Sequence, residues 1–553
     1  MISKLHFKAS SSVGQSPLVI DTSPSVTIFV GPNNSGKSQA LRNIASHCNT
    51  GQFGSHAQII EKLTFIDNAT DNLEPDLHAI KTTINQGEVV PPGHSMVRLG
   101  NQRFVMNDRA YIQARTAPNN NPHHFATWYL STKTLNIDGP GRIQLVNPNA
   151  RGDLRYPDNP LAKIFTNDEK RRKLRNTIHE SVGLYFSLDA SIGDQLHVRF
   201  GLISPPNERS LGDETLDYMR TAKGIQSVSD GVKAYTGILL QIHAGDPKVI
   251  IIDEPEAFLH PSLARNLGKE IAKGAVEEGK HIFVSTHSPD FLMGAISSGA
   301  RVNIVRLTYD QNIGTARLLP SGELTRLMQD PLLRSVGVLS GLFYHYVLVG
   351  EGGADRAFYQ EINERLLAIG DSRGIPHALF LNAENKHTIP RIIDPLRKLG
   401  IPAAGIVDID VLKDGGEEWT RYLKASNIPT SEHQPYGTKR ASVLNTLKNA
   451  NPDYKIKGGM EVLPETEKEA ANNLCDELER YGLFIVRRGE VEAWLSSLDI
   501  PRSKHTWLRT IFEKMGSEPS DENYVRPTTG DVWDFVGSIK KWLIAPEKRG
   551  IPN

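Results

Sequence analysis

Three apolar segments in the first half of the chain have the composition of buried β-strands. They are SVTIFV (25–30), VIIIDE (249–254) and HIFVSTHS (281–288). Short apolar runs rich in β-branched residues predict strands that are covered on both faces. Helices are predicted from about Ser38, over 230–243 and over 261–278. Because strands and helices alternate, the sequence predicts an α/β unit built on a parallel sheet.

The same alternation begins again near residue 340. Strands are predicted at 346–351, 377–383, 403–410 and 483–488, and helices at 354–370, 388–400, 465–482 and within GEVEAWLSSL (489–498). The polar segment 412–465 is punctuated by Pro and Gly, and we assign it no element. The sequence therefore predicts a second α/β domain, with the boundary between 310 and 340.

Residues 50–160 lack this alternation and are rich in Asn, Pro and Gly. Within them, APNNNPHH (117–124) is predicted to be loop. The segment STKTLNIDGPGRIQLV (131–146) is typical of a hairpin whose turn lies at Asp138-Gly139-Pro140-Gly141. We interpret about 50–220 as an insertion in the first domain.

The segment 161–180 carries charge at helical spacing and contains the basic run Lys170–Lys173. Two interpretations fit this run, a solvated helix face, which we favour, and a nucleic-acid contact.

Composition narrows the classes of protein that fit. The 553 residues predict two or more domains, and the 63 Lys+Arg balance the 63 Asp+Glu, which excludes a globally basic coat for nucleic acid. Two distant cysteines, Cys48 and Cys475, exclude a disulfide framework and are expected to be buried thiols.

Residues 1–7 do not predict a secretory signal, and no apolar run is long enough to span a bilayer. We expect a cytoplasmic protein without a membrane partner.

A glycine-rich segment follows the first predicted strand and opens a helix. It fits G-x-x-x-x-G-K-[ST] and consists of Gly31, Pro32, Asn33, Asn34, Ser35, Gly36, Lys37 and Ser38. Backbone N–H groups of such a loop cradle phosphates together with the helix N-terminus. Lys37 is expected to reach the β- and γ-phosphates and Ser38 to bind Mg²⁺, while Gln39 completes the predicted ATP contacts along this segment.

Acidic and polar residues follow the next two strands. Asp253 is predicted to hold the Mg²⁺ shell and Glu254 to polarise the attacking water, although an acid pair also suits a solvated strand end. Ser229 and Gly231 lie at a helix start, where Ser229 is also a plausible N-cap. His287 follows the third strand, where a histidine serves either a structural role or contact with the γ-phosphate.

The order of these elements, with Leu259-His260 between the acid pair and His287, resembles the ABC-type ATPase head of SMC-like proteins. The resemblance implies that Ser229 and Gly231 of one head close over the ATP of another, in a head-to-head homodimer or a higher oligomer. The segment SVSDG (227–231), which contains Ser229 and Gly231, occupies the position of the ABC signature motif but differs from the transporter form LSGGQ. Gln113 is a candidate for the Q-loop residue.

Acidic residues also end the strands of the second half. Glu351-Gly352-Gly353-Ala354-Asp355 and Asp408-Ile409-Asp410 each follow an apolar strand. In an extended strand, residues i and i+2 point the same way, so Asp408 and Asp410 are expected to converge on one cation with Glu351. Carboxylate oxygens suit Mg²⁺ or Mn²⁺ rather than zinc. A helix N-cap at Asp355 is the alternative for the first motif.

A further acid pair, Glu490 and Glu492, is a candidate for holding a second ion. E-G-x-x-D followed by D-x-D resembles the TOPRIM fold of topoisomerases, primases and OLD (overcoming lysogenization defect) nucleases, although Gly350 stands where a bulky apolar residue is more usual. The resemblance implies that two divalent ions, held by the acids including Asp355, clamp a scissile phosphate.

Basic residues are implied for the same reaction. The resemblance implies an assisting lysine downstream of the acids, with Lys504, Lys514, Lys540 and Lys541 as candidates. Candidates for substrate contact are Arg391, Arg397, Arg487 and Arg488, each of which also suits a solvated surface.

The combination resembles the OLD family, which includes anti-phage Gabija nuclease subunits and PARIS proteins. It implies an α/β chain with an ABC/SMC-like P-loop ATPase domain at 1–325 and a Rossmann-like TOPRIM domain at 340–553. The expected function is ATP- and Mg²⁺-dependent (or Mn²⁺-dependent) cleavage of DNA or tRNA in anti-phage defence. Two alternatives are an ATPase sensor that releases a TOPRIM effector in response to a phage trigger or a second defence protein, and a structural DNA-repair ATPase with an inactive TOPRIM domain.

Overall fold

Buried β-branched strands organise both halves of this computed structural model, which describes residues 1–553 except 13, 24, 55–57, 68–72, 74–76, 79, 100–101, 211, 311–312, 336, 504–505, 521, 549–550 and 552–553. The chain forms two compact units. The first contains Met1–Ser10, Ser16–Val30 and Asn34–Leu318, and the second contains Ser11–Gln15, Gly31–Asn33 and Leu319–Asn553. Among the described residues, no helix is long and apolar enough to cross a membrane.

The first unit carries fifteen strands and ten α-helices among the described residues. The strands are β1 Ile2–Ser10, β2 Pro17–Asp21, β3 Val26–Val30, β4 Ile60–Phe65, β5 His94–Leu99, β6 Gln102–Asn107, β7 Thr134–Ile137, β8 Asn149–Ala150, β9 Tyr185–Asp189, β10 Gln195–Gly201, β11 Lys223–Gly224, β12 Val249–Asp253, β13 His281–Ser285, β14 Val302–Asp310 and β15 Ile313–Leu318. The helices are α1 Lys37–Thr50, α2 Asp108–Thr116, α3 Pro122–Trp128, α4 Gly141–Gln144, α5 Pro160–Thr166, α6 Asp168–Val182, α7 Asp213–Thr221, α8 Asp230–Ala244, α9 Pro261–Glu277 and α10 Pro289–Ser297.

A six-stranded sheet in the order β15-β14-β3-β13-β12-β7 forms the centre of the first unit. All neighbours in it are parallel except β14 and β15. Every residue of β3 is buried, as its continuous apolar run predicts. Because parallel strands share one carboxyl edge, the segments that follow β3, β12 and β13 meet there.

The structure corrects two predictions for the segment 50–160. The hairpin predicted over 131–146 is wrong, because β7 pairs in parallel with β12 and its chain continues into α4. The apolar Leu135 and Ile137 alternate with polar neighbours as an edge strand does, which periodicity alone does not distinguish from a hairpin arm. The loop predicted over 117–124 is also partly wrong, because Pro122 begins α3, where proline is favoured.

The basic run Lys170–Lys173 lies on α6 and is engaged within the first unit. Lys170 Nζ donates to Glu278, at 2.7 Å from Oε2, and the buried Arg171 pairs with Glu208. Lys173 pairs with Glu277. We favoured a solvated helix face for this run, but three of its side chains form ion pairs within the first unit. Two of them, Lys170 and Lys173, connect α6 to the end of α9.

The second unit carries four strands and nine α-helices among the described residues. The strands are β16 Tyr346–Gly350, β17 Ala378–Asn382, β18 Ala403–Asp408 and β19 Leu483–Val486. The helices are α11 Ser321–Gln329, α12 Pro331–Ser335, α13 Gly353–Ala368, α14 Ile389–Lys398, α15 Gly416–Ala425, α16 His433–Ala450, α17 Glu465–Glu479, α18 Trp507–Met515 and α19 Asp531–Ile544.

All four strands are parallel, in the order β17-β16-β18-β19. The central pair, β16 and β18, is almost entirely buried, and each strand ends at one of the predicted acidic motifs. The order reverses direction at β16, where the carboxyl ends of an open parallel sheet form a crevice. The helix predicted in 489–498 is instead a short 3-10 turn at Val491–Ala493.

A close backbone approach joins the segment 412–465 to the end of β19. Gly489 has φ +115°, and a Cβ there would lie 1.9 Å from the carbonyl oxygen of Lys455. Gly489 also accepts a hydrogen bond from the Ile409 N–H at 2.9 Å. No side chain fits at residue 489, which fixes Lys455 beside the turn that follows β18.

We predict that Gly489→Ala destabilises the protein by about 2–4 kcal/mol, because the methyl group displaces the backbone of Lys455 and the residue is strained. Gly370→Ala is the matched control. Its φ is also left-handed at +69°, but no atom lies within 4 Å of the added Cβ. The control should lose only about 1–2 kcal/mol. Calorimetric unfolding of both full-length variants tests this, and equal shifts in Tm would contradict the close approach.

Candidate active sites

The phosphate loop, Gly31–Ser38, continues from β3 into α1. Its non-helical turn is supported by left-handed conformations at Asn34 (φ 59°) and Gly36 (φ 93°). Glycine is favoured at residue 36 by its left-handed φ, and a Cβ there would also displace Ile59 Cδ1, which would lie 2.9 Å away. Gly31, Pro32 and Asn33 are the first residues of the loop along the chain, and Gly31 has φ 146°.

Lys37 is the first residue of α1, and only 4% of it is exposed. Its Nζ lies 3.5 Å from Ser35 Oγ. Burial lowers the pKa of Lys37 to about 8, although Glu254 and Asp253 oppose this shift. A buried ammonium group at a helix N-terminus suits a strongly anionic ligand such as a phosphate.

Asp253 links the phosphate loop to the neighbouring strands. Its Oδ1 accepts hydrogen bonds from Ser38 Oγ, at 3.0 Å, and from Ser285 Oγ. A serine hydroxyl and a carboxylate side by side are oxygen ligands of the kind that Mg²⁺ prefers. The geometry therefore fits the predicted roles of Ser38 and Asp253.

Glu254 and His287 face each other at the carboxyl edge of the sheet. Glu254 Oε1 lies 3.4 Å from His287 Nε2, and both side chains are partly exposed. Burial, followed by the charge of Lys37, lowers the pKa of His287. Both groups are open to a ligand bound at Lys37.

Sequence reasoning missed Glu256, which lies two residues after Glu254. Its Oε1 accepts hydrogen bonds from Thr286 Oγ1 and from the N–H of His287, both at 2.8 Å. Burial raises the pKa of this carboxyl group. Glu256 thus fixes the backbone that carries His287, and no spacing rule in the sequence pointed to it.

Ser229 and Gly231 lie at the start of α8, which we call the signature helix. Ser229 Oγ accepts from the Val232 N–H at 3.4 Å, so the N-cap interpretation is confirmed. A Cβ at Gly231 would lie 2.6 Å from the carbonyl oxygen of Phe258, which places the signature helix against the segment before Leu259-His260. His260 caps α9, and Gln113 is exposed on α2.

A cavity of about 580 Å³ adjoins the phosphate loop within the first unit. Its walls include Asn34, Ser35, Gly36 and Gln39 of the loop and α1, and Tyr309 of β14. Clefts of this size hold small organic ligands. Its position beside the phosphate loop is suitable for the nucleoside part of a nucleotide.

In the second unit, the structure brings Glu351, Asp408 and Asp410 together. One carboxylate oxygen from each lies within 4.8 Å of the others, and we call this trio the acidic cluster. Glu351 follows β16 and Asp408 ends β18. Asp410 lies in the 3-10 turn Ile409–Lys413, so the expected extended-strand geometry is wrong even though the two aspartates converge.

The acidic cluster is electrostatically strained. Burial and the neighbouring Asp408 raise the pKa of Glu351 to about 8, and burial is also the main cause that raises the pKa of Asp408. Glu351 Oε1 accepts a hydrogen bond from the Asp408 N–H at 2.8 Å. Asp408 Oδ1 is buried and accepts no hydrogen bond from any described residue. A divalent cation fits these residues, because it would supply the missing partner and offset the repulsion.

Lys455 lies among these acids, and sequence reasoning missed it. Its Nζ is 2.7 Å from Asp408 Oδ2 and 3.3 Å from Asp410 Oδ1. Although burial opposes the shift, these carboxylates raise the pKa of Lys455. Lys386 is a second cation, with its Nζ 3.6 Å from Asp410 Oδ2. Lys455 lies within the segment 412–465, to which we assigned no element and in which no motif indicated a functional lysine.

The other predicted ligands surround the cluster without joining it. Asp355 Oδ2 accepts from the Gly352 N–H at 3.0 Å, so it caps α13, and burial together with Asp408 raises its pKa to about 7. Glu490 is buried, with its Oε2 4.0 Å from Lys455 Nζ. Glu492 is near enough to raise the pKa values of Asp355 and Asp408. None of these three belongs to the described group within 4.8 Å.

The predicted assisting lysines lie elsewhere. Lys514 Nζ donates to the carbonyl of Leu498 at 2.7 Å, and Lys540 Nζ donates to that of Ser372 at 2.7 Å. Lys541 is exposed on α19, and Lys504 lies outside the described residues.

Three of the four arginines proposed for substrate contact are partly exposed, and each pairs with an acid. Arg391 pairs with Asp330, Arg487 with Asp476 and Glu479, and Arg488 with Asp531. The prediction is wrong for Arg397, which is 1% exposed and donates to the carbonyl of Ala403 at 2.9 Å. Cys48 and Cys475 are buried free thiols, as expected, and burial raises the pKa of each to about 12.

Residues 118–293 match the family model described as "AAA domain, putative AbiEii toxin, Type IV TA system". The solved SMC head bound to the C-winged helix domain of ScpA is 16% identical, with 59% of this chain and 99% of that chain covered at a TM-score of 0.35. The SMC head domain from Thermotoga maritima is 14% identical, with 58% and 99% covered at a TM-score of 0.29. An ABC transporter cassette in its ADP conformation is 13% identical, with 61% and 98% covered at a TM-score of 0.25.

These TM-scores are too low to carry an argument, and no curated protein matches the chain. The family match covers Asp253, Glu254 and His287 and stops short of the phosphate loop. Together with that loop and with the order of the parallel strands, it identifies the first unit as an α/β P-loop ATPase domain.

Proposed function

We propose that this chain is an ATP-hydrolysing, divalent-cation-dependent nuclease of the OLD type, with an ABC-type ATPase domain followed by a TOPRIM domain. The observation that carries the nuclease proposal is the acidic cluster, in which a buried oxygen of Asp408 has no hydrogen-bond donor among the described residues. Convergent carboxylates with perturbed pKa values in a sheet-edge crevice are typical of catalytic sites.

In the first unit, the proposed roles follow from the positions of the side chains. Lys37 binds the β- and γ-phosphates, and Ser38 and Asp253 hold Mg²⁺. Glu254 orients the attacking water, while His287, 3.4 Å away, contacts the γ-phosphate. The cavity beside the loop takes the nucleoside, with Tyr309 and Gln39 in its walls.

In the second unit, Glu351, Asp408 and Asp410 hold a divalent cation, and Asp355, Glu490 and Glu492 supply further negative charge around it. A bound Mg²⁺ or Mn²⁺ activates water and stabilises charge on the scissile phosphate. We assign the assisting role to Lys455 rather than to the four downstream lysines. Its ammonium group contacts Asp408 and Asp410 directly, where it can donate to a phosphate oxygen.

The proposed substrate is nucleic acid, either DNA or tRNA, and the proposed setting is anti-phage defence. The description of the matched family, which names a toxin of a toxin–antitoxin system, supports a defence role. A degenerate, purely structural second unit is disfavoured because all three carboxylates of the cluster are present and converge.

We predict that Lys37→Ala abolishes ATP binding, because the phosphates lose the buried cation of the loop. Glu254→Gln should retain ATP binding and lose hydrolysis by about a hundredfold or more. Binding of a fluorescent ATP analogue and release of phosphate measure the two effects separately. Hydrolysis at the wild-type rate by Glu254→Gln would remove Glu254 from its assigned role.

We predict that two heads share each ATP, with Ser229 and Gly231 of one head facing the Lys37 loop of another. Ser229→Asp, at an exposed position, keeps a side-chain oxygen for the N-cap and adds negative charge beside the partner's phosphates, so it should fold and bind ATP but not hydrolyse it. Mixing Ser229→Asp with Lys37→Ala protein should restore part of the activity, because each mixed dimer contains one intact composite site. Persistent inactivity of the mixture, with dimers present by light scattering, would argue against the shared site.

We predict that Asp408→Ala loses nucleic-acid cleavage by at least about a thousandfold and keeps wild-type ATP hydrolysis, because its metal differs from that of the phosphate loop. Lys455→Ala should slow cleavage by about a hundredfold. Asp476→Ala and Lys514→Ala are matched controls in the same unit that should cleave normally.

Plasmid DNA and tRNA, each with Mg²⁺ or Mn²⁺ and with or without ATP, are the substrates to use. Phage protection should follow cleavage. Full protection by a folded Asp408→Ala protein would favour the structural ATPase alternative instead.

A further inference from the structure

Arg142 is a buried arginine beside the ATPase machinery that the roles above do not use. It lies on α4, the helix that follows β7 after a short turn, and is 2% exposed. One guanidinium nitrogen, Nη2, donates to the carbonyl oxygen of Asp253 at 2.7 Å, and the other, Nη1, donates to that of Glu254. The planar guanidinium group therefore hydrogen-bonds to the backbone of two consecutive residues. One of them, Asp253, is assigned to magnesium binding and the other, Glu254, to water activation.

The backbone that Arg142 grips is in an unfavourable conformation. Glu254 has φ +50°, in the left-handed region that non-glycine residues rarely adopt. On its other side, the Glu254 N–H donates to the carbonyl of Ser285 at 3.0 Å. The Glu254 carbonyl oxygen also accepts a hydrogen bond from the Ala257 N–H at 3.1 Å, so backbone groups hold Glu254 on both sides and Arg142 adds a charged donor. Loss of the guanidinium would leave these neutral bonds and weaken the hold on a strained backbone, so that the carboxylate can shift away from His287.

The short helix α4 that carries Arg142 packs closely on the signature helix α8. A Cβ at Gly237 of α8 would lie 2.7 Å from Leu145 Cβ and 3.1 Å from the carbonyl oxygen of Arg142. The absence of a side chain at Gly237 is what permits this approach. At the start of α4, the Gly141 N–H donates to Asp138 Oδ1 at 2.7 Å, which fixes the turn that leads into the helix.

The signature helix is therefore linked to the Asp253–Phe258 segment in two ways. Near its start, Gly231 lies directly against the carbonyl of Phe258. Six residues later, Gly237 lies against α4, whose Arg142 side chain contacts Asp253 and Glu254. Because these backbones are closely packed, a displacement of α8 would displace α4. The guanidinium group of Arg142 would then move with α4 and shift the backbone of Glu254.

We propose that Arg142 is a positioning residue for ATP hydrolysis, which fixes the backbone of Glu254 and couples it to the signature helix. The inference rests on the proposed ATPase role of Glu254. The proposal assigns Arg142 no contact with the nucleotide. When the signature helix engages the nucleotide of a second head, its position sets that of Glu254 in its own head, so that hydrolysis responds to the pairing of the heads.

The test separates binding from turnover. Arg142→Ala should bind ATP with wild-type affinity while kcat falls about a hundredfold, because a displacement of about 1 Å at the reacting group has that effect. Arg142→Lys keeps the charge but cannot grip both carbonyls, so it should recover only part of kcat. Gly237→Ala retains the Arg142 side chain but displaces the helix α4 that carries it, so it should also lower kcat with little change in KM.

Arg175→Ala is the matched control for loss of a buried arginine. Arg175 donates to the carbonyl of Phe186 at 2.8 Å and pairs with Glu208, so its loss should lower Tm without changing kcat per folded molecule. Wild type and Lys37→Ala complete the set. Equal hydrolysis by these two would refute the proposed ATPase function itself.

If wild type is active and Lys37→Ala is not, the outcome concerns Arg142 alone. A wild-type kcat in Arg142→Ala would overturn the inference, and so would loss of ATP binding in that variant, because Arg142 would then act on affinity. If Arg142→Ala does not fold, Arg142→Lys and Gly237→Ala test the inference in its place. A wild-type kcat in both of these variants would also overturn the inference.

Discussion

Carboxylates that lie together away from water destabilise one another unless a positive charge lies among them. The second unit is built around this constraint. Glu351, Asp408 and Asp410 converge at the ends of adjacent parallel strands, and the ammonium group of Lys455 lies against the two aspartates. Lys455 is held there by its backbone, since Gly489 leaves no room between the end of β19 and the Lys455 carbonyl. The arrangement neutralises part of the charge and leaves Asp408 Oδ1 for another cation.

The first unit has the opposite feature, the buried ammonium group of a lysine. Lys37 lies at the start of α1, and the acids Asp253 and Glu254 are close enough to favour its charged form. Around it, hydrogen bonds fix the backbone more firmly than the reactive side chains. Glu256 holds the segment of His287, and Arg142 holds that of Glu254, while the Glu254 and His287 side chains are partly exposed. Rigid backbone with open side chains is the arrangement that a site needs before its ligand arrives.

Much of this organisation is encoded in local sequence. Strands β3, β12 and β16 are continuous apolar runs, and a glycine-rich or acidic motif follows each. Their burial is therefore predictable, and so is the meeting of carboxyl ends within each separate sheet. Residues that enter a site from distant segments are not. Lys455 and Arg142 carry no motif, and their roles arise from close backbone approaches at Gly489 and Gly237 that only a folded chain reveals. The incorrect hairpin prediction at β7 has a different origin, because an edge strand and a hairpin arm share one periodicity and only the pairing with β12 separates them.

We propose that the acidic cluster of the second unit is a divalent-cation site distinct from the one at the phosphate loop. A crystal structure with Mn²⁺ and a non-hydrolysable ATP analogue, with data collected at the manganese absorption edge, separates the two sites. We expect one anomalous peak beside Ser38 and Asp253 and a second one among Glu351, Asp408 and Asp410. A peak at the phosphate loop with none at the acidic cluster, at millimolar Mn²⁺, would contradict the proposal.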